Sequence, residues 1–294
     1  MSLERVRDIL AEADRHGTAV LAFDAMNYAM IAAAVQGAAA AKRPVIVMLY
    51  PEMAGYVSLE GFLALVKEQA RQVRIPVGIH LDHCSDFAYI VRALKAGFPS
   101  VMADGSLLPL DENIAFTASV VRTAKAFGAD VEGELGHVGK AANEGDYIVS
   151  DLYTPVEEAR IFAEATGVTA LAIAFGSAHG NYTRPPKLDI TRLKEINQAV
   201  KTPLVLHGGS GIPKEQLTEA FHNGINKFNV GTEFSYLNQK YTGQYFEQEM
   251  ERDGACGHVE YAREKLSAYI AEKCRLTTCT AEPGTTGNSL EEIL

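Results

Sequence analysis

Short apolar runs and longer helix-like stretches alternate along the chain. TAVLAFDA from Thr18 is the first run, and an alanine-rich helical stretch, MIAAAVQGAAAAK, follows it. PVIVMLY from Pro44, PVGIHLDH from Pro76, SVMADG from Ser100 and DVEGELGHVG from Asp130 come next. Stretches of helical period around GFLALVKEQARQ, FAYIVRALKAG and NIAFTASVVRTAKAFG separate them. After VEEARIFAEATG the pattern continues with ALAIAFG from Ala170, PLVLHGGSG from Pro203 and KFNVGTEF from Lys227, with ITRLKEINQAV and PKEQLTEAFHNG between them. The runs are continuously apolar rather than alternating, as in parallel strands buried on both faces. Strands alternating with helices imply βαβ units, and eight such units predict a (β/α)8 barrel. An open doubly wound sheet is the alternative, but no GxGxxG follows the first strand. The expected organisation is one domain over 1–294. It has an amphipathic N-terminal helix, a barrel core over about 18–235 and a helical C-terminal segment over 236–294.

Composition narrows the class. Of 294 residues, 47% are hydrophobic, enough for a sizeable core, and the net charge of −10 argues against a nucleic-acid partner. No apolar run reaches membrane-spanning length and the N-terminus lacks the apolar block of a signal peptide, so a cytoplasmic protein is expected. Cys84, Cys256, Cys274 and Cys279 lack paired CxxC spacing and read as free thiols.

In such a barrel the C-terminal strand ends face the active site. Reactive side chains recur there: Asp82 and His83 on the third strand, Asp104 on the fourth, Glu132 and Glu134 on the fifth. His179 follows the sixth strand, His207 ends the seventh, and Asn229 and Thr232 mark the eighth. One histidine so placed is usually structural. Three at one mouth, His83, His179 and His207, form a catalytic zinc set with an open position. Asp104 and Glu134 would orient those ligands or bind a second cation. His80 shares the face of Asp82 and reads as a supporting or core residue. Gly208, Gly209, Ser210 and Gly211 join a strand to a helix, where backbone N–H groups and the helix dipole suit a phosphate. Gly180 would add donors from the sixth loop.

HLDH, SVMADGS, DVEGELG, GSAHG with PKLD after it, LHGGSG and FNVGTE together resemble the class II fructose- and tagatose-bisphosphate aldolases, from about Thr18 to Glu233. The resemblance implies a zinc-dependent lyase, with one Zn2+ per subunit on His83, His179 and His207 and Asp82 as catalytic acid/base. It also implies a phosphate cradle of Gly180, Gly208, Gly209 and Ser210, substrate contacts from Asn229 and Thr232, and Asp104 and Glu134 near the metal. Asn229 would hydrogen-bond the reacting ketose, and Glu144, in a loop after the fifth strand, matches a mobile catalytic acid. The expected substrate is a ketose (bis)phosphate, fructose- or tagatose-1,6-bisphosphate first, cleaved to dihydroxyacetone phosphate and an aldehyde. A Na+ or K+ ion beside the phosphate and a homodimer or homotetramer are further implications. The alternatives are a barrel metallohydrolase, which would want an HxH where the first strand reads FDAMN, and a non-catalytic phosphosugar-binding subunit.

The chain also departs from the family pattern. Asp24 stands at a usually neutral, substrate-facing position, and Tyr50 where a small hydroxyl residue is usual. Thr183 and Arg184 replace a lysine and glycine. Asp24 would repel a second phosphate, while Arg184 could attract one.

Overall fold

The computed structural model describes residues 2–139, 153–183, 185–248 and 254–278. Eight parallel strands close into a barrel in chain order. They are β1 (Val20–Asp24), β2 (Val45–Leu49), β3 (Val77–Leu81), β4 (Ser100–Ala103), β5 (Asp130–Leu135), β6 (Ala170–Ile173), β7 (Leu204–Leu206) and β8 (Ile225–Val230). The helices among the described residues are α1 (Val6–Arg15), α2 (Tyr28–Ala41), α3 (Leu59–Ala70), α4 (Phe87–Ala96), α5 (Leu110–Ala126), α6 (Val156–Thr166), α7 (Ile190–Ala199), α8 (Lys214–His222), α9 (Thr232–Glu247) and α10 (Gly257–Cys274). The expected (β/α)8 barrel is therefore the fold. No helix among the described residues is long and apolar enough to cross a membrane.

Successive residues of a strand face opposite sides, and the core divides accordingly. Leu21, Phe23, Val45, Val47, Leu171, Ile173, Leu204 and Leu206 belong to the large cluster between strands and helices. Val20, Ala22, Ile46, Met48, Ala170, Ala172 and Val205 form a second cluster with Val6, Ile9, Leu10 and Ala13 of α1. The apolar residues of α1 recur at the spacing of one helix face, so this helix packs on the barrel interior. Gly78 leaves room for it, since a Cβ there would lie 3.2 Å from Ile9, Val6 and Ile46. Arg7 ties the helix to the buried Asp130, its Nε donating to Oδ1 at 2.5 Å.

The interior grows polar toward the C-terminal strand ends. The alternation that places apolar residues low in the barrel places Asp24, His80, Asp82, Glu132, Glu134, His207, Lys227 and Asn229 above them, all buried. β8 begins at Ile225, two residues before the strand expected from the sequence, because Ile225 pairs with Leu204 of β7 and Asn226, at a register shift, accepts from Leu204 N–H through Oδ1. On the outside, α10 lies against α2, where Gly37 permits close approach: a Cβ would sit 2.6 Å from Ser267 O.

Candidate active site

A cavity of 730 Å³ opens at the C-terminal end of the barrel. A volume of that order suits a small sugar phosphate. Its wall includes Asp82, His83, Asp104, Glu134, His179, Gly180, Gly208, Gly209, Ser210, Asn229 and Thr232. His207 lies beneath it, fully buried.

The three histidines converge. His83 Nε2 is 3.2 Å from His179 Nε2 and 2.8 Å from His207 Nδ1. The far nitrogen of each ring faces an acceptor: His83 Nδ1 donates to Asp104 Oδ2 at 2.9 Å, His179 Nδ1 to Val138 O at 3.0 Å, and His207 Nε2 to Glu132 Oε1 at 2.8 Å. Those bonds leave His83 Nε2, His179 Nε2 and His207 Nδ1 turned toward one another, so three nitrogen lone pairs would meet at one place once His83 gives up its proton. Lone pairs repel unless a cation lies between them. The carboxylates agree with that demand. Burial opposes charge on His83, but Asp82, the Asp104 hydrogen bond and Glu134 outweigh it and lift its pKa to about 10. His179 is pushed down to about 4 by burial and then by the charge on His83, and His207 falls well below the usual imidazole range for the same reasons. The donor set thus fits a divalent ion that prefers imidazole. The backbone of His83 carries φ +34°, an uncommon conformation for a residue with a side chain and one that marks functional sites.

The two expected supporting carboxylates differ. Both oxygens of Asp104 are engaged, Oδ2 by His83 and Oδ1 by Ser106 N and Oγ at 3.1 and 2.7 Å. Burial works against its charge, yet the His83 and Ser106 hydrogen bonds hold it well below the usual carboxylate range. Glu134 accepts from Val138 N–H through Oε1, whereas its buried Oε2 has no partner and lies 3.6 Å from His207 Nδ1 and 3.8 Å from His83 Nδ1. Burial pushes it up to about 8. Asp104 is built to orient a histidine, while Glu134 has an oxygen to spare beside the ring cluster.

Below the histidines lies a layer in which Glu132 and His80, expected from the sequence, meet Lys227, which sequence reading missed. Lys227, fully buried, donates to Glu132 Oε2 at 2.8 Å, and Glu132 holds His207 with its other oxygen. His80 pairs with Ser100 Oγ at 2.7 Å, and its Nε2 lies 3.7 Å from Glu132 Oε2. His80, Asp82 and Glu132 could by themselves group around a cation, but the Lys227 ammonium already supplies the positive charge there. The signal was available: Lys227 and Asn229 are two apart on β8 and so share the inward face.

Asp82 is 2% exposed and accepts from Asn229 Nδ2 at 3.0 Å. Burial raises its pKa while His83 and Lys227 restrain the rise. A carboxyl so raised is a better proton acceptor than an ordinary exposed one. The bond also fixes the Asn229 amide and leaves its buried Oδ1 without a partner.

The glycine loops close the opposite side. Gly208 has φ +67°, and a Cβ on Gly209 would lie 1.8 Å from Phe228 Cε2, so neither position admits a side chain. Ser210 Oγ accepts from Glu233 N–H at the start of α9. Tyr182 links the sixth and seventh loops, accepting from Ala178 N–H at 2.7 Å and donating to Gly208 O at 2.8 Å. Gly180, φ +102°, presents backbone to the cavity with nothing over it. Thr232 opens α9. Glu144 and Arg184 lie outside the described residues.

The remaining wall comes from β1, β2 and the short 3-10 turn after β2. Asp24, Met26, Tyr50, Glu52, Met53 and Tyr56 line it. Asp24 is 7% exposed; its Oδ1 is buried without a partner, and burial followed by the Asp82 charge raises its pKa well above the usual value.

Residues 4–282 match the family model described as fructose-bisphosphate aldolase class-II. Among solved structures, the YdjI aldolase from Escherichia coli K12 is 29% identical, with 95% of this chain and 98% of that one covered and a TM-score of 0.84. Fructose-bisphosphate aldolase from Campylobacter jejuni shares the fold at 20% identity and a TM-score of 0.80, over 95% of this chain and 96% of that one.

Proposed function

Because the chain belongs to the class II fructose-bisphosphate aldolase family and is an aldolase, a lyase of carbon–carbon bonds, we propose that it reversibly cleaves a ketose phosphate to dihydroxyacetone phosphate and an aldehyde. The ketoses that the family resemblance implies are fructose- and tagatose-1,6-bisphosphate. The observation that carries this reading is the convergence of three imidazole lone pairs beside a buried acid and a glycine cradle. His83, His179 and His207 would hold the zinc ion, one per subunit. When bound, the ion supplies Lewis acidity that stabilises negative charge developing on the ketose carbonyl oxygen.

The chain's own residues do the rest. Asp82 takes the proton from the C4 hydroxyl in cleavage and returns it in synthesis, a transfer that asks for a carboxyl of raised pKa. Asn229 holds Asp82 in place and offers Oδ1 to a substrate hydroxyl. Gly180, Gly208, Gly209 and Ser210 take the phosphate on backbone N–H groups, helped by Thr232 at the N-terminus of α9. Asp104 and Glu132 keep His83 and His207 in the right tautomers, and Glu134 lends negative charge to the ion. Glu144 is proposed as the acid that exchanges the proton on dihydroxyacetone phosphate. The reading also includes one barrel domain with a helical C-terminal segment, a monovalent Na+ or K+ ion beside the phosphate, a cytoplasmic location and a homodimer or homotetramer. The metallohydrolase and accessory-subunit alternatives give way to the family membership.

The test uses dihydroxyacetone phosphate alone. Purified protein in heavy water is expected to exchange a hydroxymethyl proton, followed by NMR, to stop exchanging when a strong chelator is added, and to resume when zinc is restored. A zinc-loaded sample that exchanges nothing would overturn the donor assignment.

A further inference from the structure

The strand order places two walls around the bond that Asp82 would break. Asp82 ends β3; the phosphate cradle follows β7 and opens α9 after β8. What remains of the mouth is the arc of β1 and β2, and the part of a ketose beyond C4 must lie against it. This inference rests on the aldolase reading above.

Two features of that arc bear on what it would accept. First, Asp24 points a carboxylate into a wall where, among the described residues, nothing answers it: Oδ1 is buried and unpartnered. An orphaned buried acceptor is costly to leave unsatisfied, so it asks for a hydrogen-bond donor from a ligand. The barrel keeps room for it. Gly231 has an ordinary φ of −108°, yet a Cβ there would lie 2.6 Å from Asp24 Oδ2. Glycine at 231 thus leaves the carboxylate where it is, whereas a side chain there would push it aside. Second, among the described residues lining the cavity there is no lysine or arginine, and beside Asp24 the arc carries Glu52, Tyr50, Tyr56, Met26 and Met53. A phosphate dianion brings negative charge to a wall whose described charged side chains, Asp24 and Glu52, are both acidic. A hydroxyl brings the donor that Asp24 lacks.

We infer that Asp24 is a specificity-determining residue that selects an uncharged hydroxy-aldehyde, so that the ketose this enzyme makes and breaks carries one phosphate, at the dihydroxyacetone end. Apolar contact with Met26 and Met53 and the ring of Tyr50 suits the carbon chain of such an aldehyde.

The experiment compares zinc-loaded wild type with Asp24→Asn, nearly identical in shape. Each condenses dihydroxyacetone phosphate with glyceraldehyde or with glyceraldehyde 3-phosphate, and kcat/KM is measured for both aldehydes. Wild type is expected to prefer glyceraldehyde by about tenfold or more, one charge-assisted hydrogen bond's worth of discrimination. Asp24→Asn is expected to move the ratio toward glyceraldehyde 3-phosphate by a similar factor, which a purely structural role would not do. Wild type that uses the phosphorylated aldehyde as well as the neutral one, or a ratio unchanged by Asp24→Asn, would overturn the inference. Proton exchange on dihydroxyacetone phosphate is followed in the same samples. Its absence from wild type would instead strike the aldolase reading beneath.

Discussion

The two walls of the cavity are built differently. On the wall from β3 to β8, four reactive side chains are answered from another strand: His83 by Asp104, His207 by Glu132, Glu132 by Lys227, Asp82 by Asn229. On the wall from β1 and β2, the Asp24 carboxylate has no hydrogen bond among the described residues, and Glu52 and Tyr56 reach solvent. The first wall ties its histidines and its acid together through its own hydrogen bonds, with Glu134 Oε2 and Asn229 Oδ1 left over, and so holds them within the narrow geometry that catalysis requires. The second leaves capacity for a ligand. Chemistry common to all ketose phosphates is thus placed on the cross-linked wall. Discrimination among aldehydes falls to the wall that is not.

Removing the acid should produce the largest asymmetry. Asp82→Ala is expected to lower cleavage by about 10²–10⁴-fold, the ordinary worth of a positioned acid/base group. Zinc content should stay near one per chain, because the three histidines keep their acceptors. Cleavage assays beside metal analysis check both halves. Near-normal cleavage would remove Asp82 from its proposed role, and lost zinc would show that the two functions of this wall are not separable.

The buried layer beneath the histidines tests how far that wall depends on its own network. Lys227→Met leaves Glu132 charged and buried without its cation, a change expected to reduce folding stability by about 3–5 kcal/mol. Glu132 would then pull on His207 and His80 alone, and zinc affinity should weaken by roughly 10–100-fold, as for other lost supporting contacts. Denaturant unfolding and a competition titration with a chelator measure the two effects. The double variant with Glu132→Gln should regain part of the stability, since the unpaired charge goes with it. Unchanged zinc affinity in the single variant would mean that Lys227 serves the fold alone.

Much of the first wall was legible in the sequence, for a physical reason. Parallel strands buried on both faces advertise themselves as apolar runs, so the polar residues that end them stand out, and His83, His207 and Asp82 need no partner to be noticed. The glycines after β7 stand out in the same way. Lys227 did not, because a lysine at the edge of an apolar run reads as a strand terminus facing water. Its partner Glu132 lies on the far side of the barrel, and no local pattern links positions 95 residues apart. The start of β8 was misplaced for a related cause: Ile225 and Asn226 follow Gly224 directly and carry only one apolar residue, too little for periodicity to register. Asp24 was visible as an oddity, but its lack of a partner, and the room Gly231 leaves for it, are facts of packing that require the closed barrel.

The smallest expected effect bears on what kind of selectivity the second wall has. Glu52 lies on the same arc as Asp24 but is exposed. Charges in water are screened over about 8 Å at physiological salt, and exposed pairs contribute about 0–1 kcal/mol. Glu52→Gln should therefore change the ratio of kcat/KM for glyceraldehyde over glyceraldehyde 3-phosphate by less than about 5-fold, and that change should vanish as salt is raised. Asp24→Asn, acting through a buried hydrogen bond, should keep its effect at high salt. If Glu52→Gln shifts the ratio as much as Asp24→Asn, and both shifts fade together with salt, the wall rejects phosphate by its overall negative field. In that case the unpaired Asp24 oxygen recognises nothing in particular.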